Sequence, residues 1–291
     1  MQKNIIISGA SGFIGSALSQ FFNSRGDRVI HIVRSDSKSK YESVLQTDFT
    51  KEFIAKFDAK NTFVINLSGA NIGAKKWSNS YKQEIINSRV NTTERIVKVL
   101  DNSGIQLINA SAVGYYGDAG DRVLDEHSPV GSGFLSEVCQ KWEQAASSYP
   151  DLLIARFGVV LGNSGGAFDI MITPFKLFAG GHIGSGKQWL PWIHIDDLVS
   201  LIAYSIDNRL QGIINFVSPA PIAYRQFADA AGDILKRPSI LNVPSFAIKM
   251  LMGEQAELVL NSQRVVPIRA LSEEFKYKFK NINTALLDLL K

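Results

Sequence analysis

Five apolar runs recur through the first half of the chain, at Asn4–Ser8, Arg28–Val33, Thr62–Leu67, Gln106–Ala110 and Leu152–Phe157. Between them lie stretches with a helical period, Phe13–Ser24, Ser80–Asn102 and Phe134–Ser148. Runs that are apolar throughout, instead of alternating, predict strands buried on both faces, and their alternation with helices predicts successive βαβ units. A further short strand is expected just before Asp48. The expected fold class is therefore α/β, a Rossmann-type doubly wound parallel sheet of about seven strands with a small C-terminal cap.

The pattern changes after Gly162. Two glycine-rich segments, Asn163–Gly166 and Gly180–Gly186, flank an apolar stretch, Phe168–Phe178, that predicts one helix, and from Ser218 onward the chain is helical and punctuated by proline. No repeat or low-complexity linker separates the parts, so the cap is expected to be woven into the main domain. Residues 1–162 and 187–217 are assigned to the nucleotide-binding domain, and 163–186 with 218–291 to the cap.

The first strand runs into Gly9-Ala-Ser-Gly12-Phe-Ile-Gly15, three glycines spaced three apart, and a helix follows at once. Gly9 permits a tight bend, Gly12 lets the backbone approach a pyrophosphate, and Gly15 lets the helix pack closely on the strand. The amides at the helix start and the positive end of its dipole favour phosphate. A dinucleotide site is thus expected over Gly9, Ser11, Gly12, Phe13, Ile14 and Gly15. Where the second strand ends, a protein selective for NAD usually carries an acidic residue for the ribose hydroxyls. This chain has Arg34 and Ser35 there, a cation and a hydroxyl suited to a 2′-phosphate, so the expected cofactor is NADP(H). Asp48, beside Phe49, either accepts from the adenine amine or caps the turn that begins at Thr50. Leu67, Ser68, Gly69 and Ala70, at the end of the fourth run, are mostly small enough to let the backbone approach the cofactor ribose.

Composition narrows the function classes. The chain has 291 residues, 45% of them hydrophobic, enough for a large core and without a run long enough to span a membrane. Its single cysteine, Cys139, excludes an internal disulfide, and its four histidines are scattered, so no metal site and a cytoplasmic location are expected. The net charge of +4 is spread along the chain, which argues against a nucleic-acid partner and suits a phosphorylated ligand.

The fifth run ends in Ser111, and the loop after it carries Tyr115 and Tyr116, which would face the nicotinamide. With the glycine loop, the Ser111–Gly117 segment, Asp125-Glu-His-Ser-Pro129, Arg156-Phe-Gly158 and Trp192-Ile-His-Ile-Asp-Asp197, the chain resembles the extended short-chain dehydrogenase/reductases, the sugar-nucleotide epimerases and dehydratases. Within them it is most similar to an atypical branch often labelled epimerase or cell-division inhibitor. The resemblance adds Arg89, Ala110 and Arg156 to the expected cofactor set. It implies a small-molecule substrate bound between the carboxyl edge of the sheet and the cap. It also allows a homodimer formed through Ser80–Asn102 and Phe134–Ser148.

One departure bears on the chemistry. The family uses a tyrosine with a lysine four residues later, one helical turn apart, so that the ammonium depresses the tyrosine pKa. None of the eight tyrosines here has a lysine at that offset. Where the pair belongs, the chain reads Phe134-Leu-Ser-Glu-Val-Cys139, with phenylalanine or leucine at one site and valine or cysteine at the other. Tyr115 and Tyr116 are the candidate replacements, ahead of Glu137, which also reads as a solvated helix residue, and Cys139, which also reads as a buried one. Lys75, Lys76 and Trp77 either line the substrate mouth or form a surface loop with the tryptophan packed beneath the next helix. His194 and Asp196 are expected to hold the fold, the first buried and the second capping the helix that follows. Two functions fit: an NADP(H)-dependent oxidoreductase or epimerase with an unusual acid/base, or a regulator that senses NADP(H) without turnover.

Overall fold

Each of the five apolar runs is a strand in the computed structural model, which describes residues 1–35, 39–163 and 165–291. With two others they form one sheet of seven strands: β1 (Asn4–Ser8), β2 (Arg28–Val33), β3 (Glu42–Leu45), β4 (Thr62–Asn66), β5 (Gln106–Ala112), β6 (Leu152–Phe157) and β7 (Gly212–Phe216). All pairings are parallel, in the order β7-β6-β5-β4-β1-β2-β3. The chain winds outward from β1 in both directions, so the order reverses between β1 and β4 and a crevice opens at their carboxyl ends.

The helices are α1 (Phe13–Ser24), α2 (Asn79–Leu100), α3 (Phe134–Ala146), α4 (Ala167–Lys176), α5 (Ile195–Asp207), α6 (Tyr224–Leu235), α7 (Ser245–Met252) and α8 (Ile282–Leu289). Ile5 and Ile7 join Leu18 and Phe22 of α1 and Leu198 and Ile202 of α5 in one layer, while Ile6 joins Ile96 and Leu100 of α2 in the other. Successive strand residues point to opposite faces, which is why an unbroken isoleucine run suits a strand covered on both sides. A second core collects Phe168, Ile172 and Phe175 of α4, Trp192, Phe227 of α6 and Leu286 of α8. The tail returns to the first core through Ala270, Phe275 and Tyr277.

Several local expectations are corrected. Strand β5 runs two residues past Ala110, so Ser111 lies inside the ladder opposite Arg156. Helix α4 stops at Lys176, before Phe178, whose φ of +61° is outside helical geometry. Asp48 caps nothing; it is exposed, and Thr50 accepts from the Phe53 amide at the start of the next turn. Asp196 is not a cap either. Helix α5 begins two residues earlier, with the buried imidazole of His194 accepting the Asp196 amide through Nδ1 at 3.1 Å, and Asp196 pairs with Lys278 at 3.0 Å. The buried carboxylate next to it, Asp197, accepts the amides of Lys278 and Phe279 at 2.7 and 2.9 Å and so fastens the tail to the start of α5. Among the described residues no helix is long and apolar enough to cross a membrane.

Burial holds both His31 and His194 below their ordinary pKa of 6.5. Protons then bind the unfolded chain more readily than the folded one, so this contribution to stability is full above about pH 6.5 and is lost as the pH falls below it. Thermal unfolding followed from pH 7.5 to 5.5 is expected to show a falling midpoint. His194→Asn, which keeps a side chain able to cap α5, should flatten that slope. An unchanged slope in the variant would remove His194 from the effect.

Candidate functional site

At the crevice between β1 and β4 the first turn is built by steric exclusion. Gly9 has φ of +82°, and a Cβ there would lie 2.9 Å from the carbonyl of Leu67. A Cβ on Gly15 would fall 2.4 Å from the oxygen of Gly9, so α1 sits on the loop at a distance that only glycine allows. Gly12 stands at the N-cap of α1 and donates its amide to Gly9 O at 3.1 Å. The hydroxyls of Ser8 and Ser68 meet at 2.6 Å and join the ends of β1 and β4. The cradle that results, open backbone at a helix N-terminus with no side chain filling it, fits a pyrophosphate.

Gly162, Gly165 and Gly166, the last two from the Asn163–Gly166 segment expected as cap, pack directly on this turn. A Cβ on Gly162 would lie 2.6 Å from the ring of Phe13, and one on Gly166, with φ of +78°, 3.0 Å from it. Arg34 and Ser35 are exposed beyond β2, as is Asp48 after β3. The Phe49 side chain is buried in the core against Ile54 and Val64, so only its backbone is left for a ligand. Ala110 is likewise buried.

Beside the crevice, Arg89 of α2 donates from Nη1 to the carbonyls of Ala70 and Ile85 at 3.1 and 3.0 Å, with its guanidinium 5.0 Å from the Trp142 ring. It presses on the β4 loop so closely that a Cβ on Gly69 would lie 2.8 Å from its Cζ.

The Ser111 end is a chain of buried polar groups. Ser111, 2% exposed, donates to Glu143 at 2.6 Å. Glu143 holds Arg156 bidentately, both bonds 2.8 Å. Arg156 in turn donates to the Tyr116 hydroxyl at 3.0 Å, and Tyr116 donates to Asn215 at 2.7 Å. The Arg156 guanidinium lies 3.5 Å over the ring of Tyr115, which stands edge-on to Tyr116. Burial pushes the Tyr116 phenol up to about 12, so this hydroxyl stays neutral and serves as a strut. Tyr115 is half-buried, and among the described residues its hydroxyl is not part of the hydrogen-bonded chain from Ser111 to Asn215.

Packing shows which residues of α3 face Gly114 and Ser111. A Cβ on Gly114 would lie 3.3 Å from Leu135 Cβ and 3.6 Å from Cys139 Sγ, and the Cys139 thiol lies beside the Ser111 hydroxyl. Leu135, Cys139 and Glu143, each one turn further on, therefore form the face turned to Ser111. Phe134 and Val138 instead pack with Trp77 and Ile85. The thiol is buried and pushed up to about 11, which leaves it no nucleophile. Glu137 is exposed and paired with Lys141 at 2.6 Å on the same helix. Trp77 packs edge-on against Phe134 with its indole N–H on Ile72 O, while Lys75 and Lys76 are exposed.

Sequence reasoning missed Glu143, although its spacing of eight from Leu135 was a usable signal. It also missed Glu257, which sits over the start of α3, within 3.2 Å of where a Gly133 Cβ would be. Glu257 lines a cavity of about 590 Å³ together with Asp118, Ser185, Gln188 and Lys249.

A doubly wound parallel sheet with a glycine turn at its switch point and a serine at the end of β5 defines a dinucleotide-binding protein of the short-chain dehydrogenase type. The chain belongs to the NAD dependent epimerase/dehydratase family, whose pattern it matches over residues 5–216, and residues 243–289 match a domain of unknown function, DUF1731. The chloroplastic SDR39U1 homolog of Arabidopsis thaliana, an epimerase family protein, is 41% identical over 306 residues, spanning 100% of this chain and 87% of that one. Epimerase family protein SDR39U1 of Mus musculus is 34% identical over 297 residues, spanning 98% and 99%. The crystal structure of the human SDR39U1 protein (isoform2) with NADPH superposes with a TM-score of 0.88 at 31% identity over 98% of both chains.

Glu143→Gln is expected to lower the unfolding free energy by roughly 3–5 kcal/mol, because it leaves the buried Arg156 uncompensated. Denaturant titration measures this. A loss below about 1 kcal/mol would mean that Arg156 is satisfied without the pair.

Proposed function

We propose that the protein is an NADP(H)-dependent oxidoreductase or epimerase-type enzyme acting on a small polar substrate held between the carboxyl edge of the sheet and the C-terminal segment. The observation that carries the cofactor reading is the exposed Arg34-Ser35 pair at the end of β2, where a carboxylate would select NAD. The glycine cradle beside it and the NADPH in the human relative's crystal structure support the same reading. Gly9, Ser11, Gly12, Phe13, Ile14 and Gly15 would hold the pyrophosphate, and the Leu67–Ala70 backbone would follow the sugar. Asp48 is free to meet the adenine amine now that Thr50 supplies the helix cap.

When bound, the nicotinamide supplies or takes hydride. The Ser111 proton is committed to Glu143, so Ser111 offers its lone pairs and receives a hydrogen bond from a substrate hydroxyl. Of the two loop tyrosines, Tyr115 is the proposed proton donor, since Tyr116 is fixed between Arg156 and Asn215. A sensor without turnover is the second reading, favoured by the apolar Leu135 and the buried thiol of Cys139 in place of the acid/base pair.

Titration of the purified protein with NADPH and NADH, followed by nicotinamide fluorescence, tests the cofactor. Arg34→Ala should weaken NADPH at least tenfold, about 1.4 kcal/mol or more for a lost charged contact, and leave NADH unchanged. Equal affinity for the two nucleotides in the unaltered protein would overturn the selectivity. With NADPH bound and a substrate found by screening, Tyr115→Phe should cut turnover about a hundredfold or more, and Tyr116→Phe should mainly lower thermal stability.

A further inference from the structure

The cavity of about 590 Å³ lies between the loop after Ser111 and the segment that carries α7, and the network around Ser111 uses none of the side chains that line it. Its polar wall has a bias. Asp118 takes the amides of Gly120 and Ser262 on Oδ1, at 3.4 and 3.0 Å. Gln188 spends its amide protons on the carbonyls of Ile183 and Val259, at 3.1 and 3.4 Å, so its own oxygen is what it has left to offer. Glu257 is the sharpest case, because its Oε2 is shielded from solvent and has no hydrogen-bond partner among the described residues.

An acceptor shut away from water without a donor is costly, and a ligand that brings the donor removes the cost. The surroundings of Glu257 keep it in place. Gly133, with φ of +98°, leaves room for the carboxylate, since a Cβ there would lie 3.2 Å from Oε2. The Leu135 amide at the start of α3 favours the charged carboxylate, yet Oε2 stays unmatched. Burial, with the charge of Glu254 beside it, pushes the Glu257 carboxyl above its ordinary range. Little positive charge offsets these groups. Lys82 is paired with Glu254, and Lys249, the one cation in the lining among the described residues, is exposed on α7.

We propose that this cavity takes the polar end of the substrate, and that this end presents hydrogen-bond donors without negative charge, an ammonium or sugar-type hydroxyls, to Glu257, Asp118 and Gln188. The enzyme reading above supplies the substrate's place, between the sheet edge and the C-terminal segment, and the cavity supplies its chemistry. A diphosphate brings only acceptors and negative charge, so the same wall repels it. A sugar carried on a nucleoside diphosphate is therefore a poor fit here, and Glu257 is the residue that sets this preference.

Glucosamine carries both kinds of donor and glucose only hydroxyls, so the pair separates the two sources, and uridine diphosphate is the anionic counterpart. Each is titrated into the full-length protein, with and without NADPH, and followed by saturation-transfer NMR. Glucosamine is expected to bind and uridine diphosphate not to displace it. Glu257→Gln should weaken glucosamine about tenfold or more, the scale of a lost hydrogen bond to a charged group, and leave NADPH within about twofold. Tighter binding of glucosamine than of glucose assigns the donor to an ammonium, and equal binding assigns it to hydroxyls. Asp118→Asn, on the loop side of the cavity, makes the same comparison should Glu257→Gln fail to fold. Failure of both sugars to bind, displacement of glucosamine by uridine diphosphate from the NADPH-loaded protein, or unchanged binding in both variants overturns the assignment. If glucosamine binds but NADPH does not, the cofactor reading fails while the ligand class of the cavity stands.

Discussion

The pair of Glu143 and Arg156 organises the region around the end of β5. Two oppositely charged groups in a bidentate arrangement each lose hydration, and Ser111 and Tyr116 supply further hydrogen bonds to the pair. Ser111 feeds one end of the pair and Tyr116 the other, and Asn215 closes the chain on β7. Strands β5, β6 and β7 and helix α3 are thereby held in one register by side chains as well as by the ladder. Removing any one member leaves a buried charge or a buried donor without a partner.

The same network reorders the chemistry of the site. A serine whose proton is already given to a carboxylate behaves as an acceptor, unlike a serine that polarises a carbonyl. A phenol wedged between a guanidinium and an amide, with its pKa pushed up to about 12, is a strut. Tyr115 is the loop tyrosine whose hydroxyl stays outside the network.

The C-terminal segment depends on a second, smaller device. The carboxylate of Asp197 takes two consecutive tail amides, and His194 stacks on Phe279 at 3.8 Å. Those contacts fix the start of α5 and the passage of the tail together, so the tail can serve both the first core and the second. Glu257, placed by the same tail over the start of α3, brings a carboxylate to the cavity beside the loop that follows Ser111.

Period and spacing in the sequence were enough for the sheet, for α1 to its last residue, and for the glycine turn, because each leaves a pattern of residue types within a short stretch of chain. Three apolar residues in succession can only be buried on both faces, and Gly9 and Gly15 answer to atoms of their own turn or of the strand beside it. Helix ends were read less well, since His194 instead of Asp196 caps α5 and Thr50 instead of Asp48 caps the turn after β3. The site network was not legible at all: Ser111 and Glu143 are 32 positions apart, and Tyr116 and Asn215 99. Which face of α3 turns toward the end of β5 was equally open in the sequence, and only the packing of Leu135 and Cys139 on Gly114 decided it. The chain's local chemistry determined which elements form and where a nucleotide phosphate fits. The tertiary structure alone decided which polar groups share a proton, because their partners arrive from strands and helices that are neighbours only after the sheet is wound.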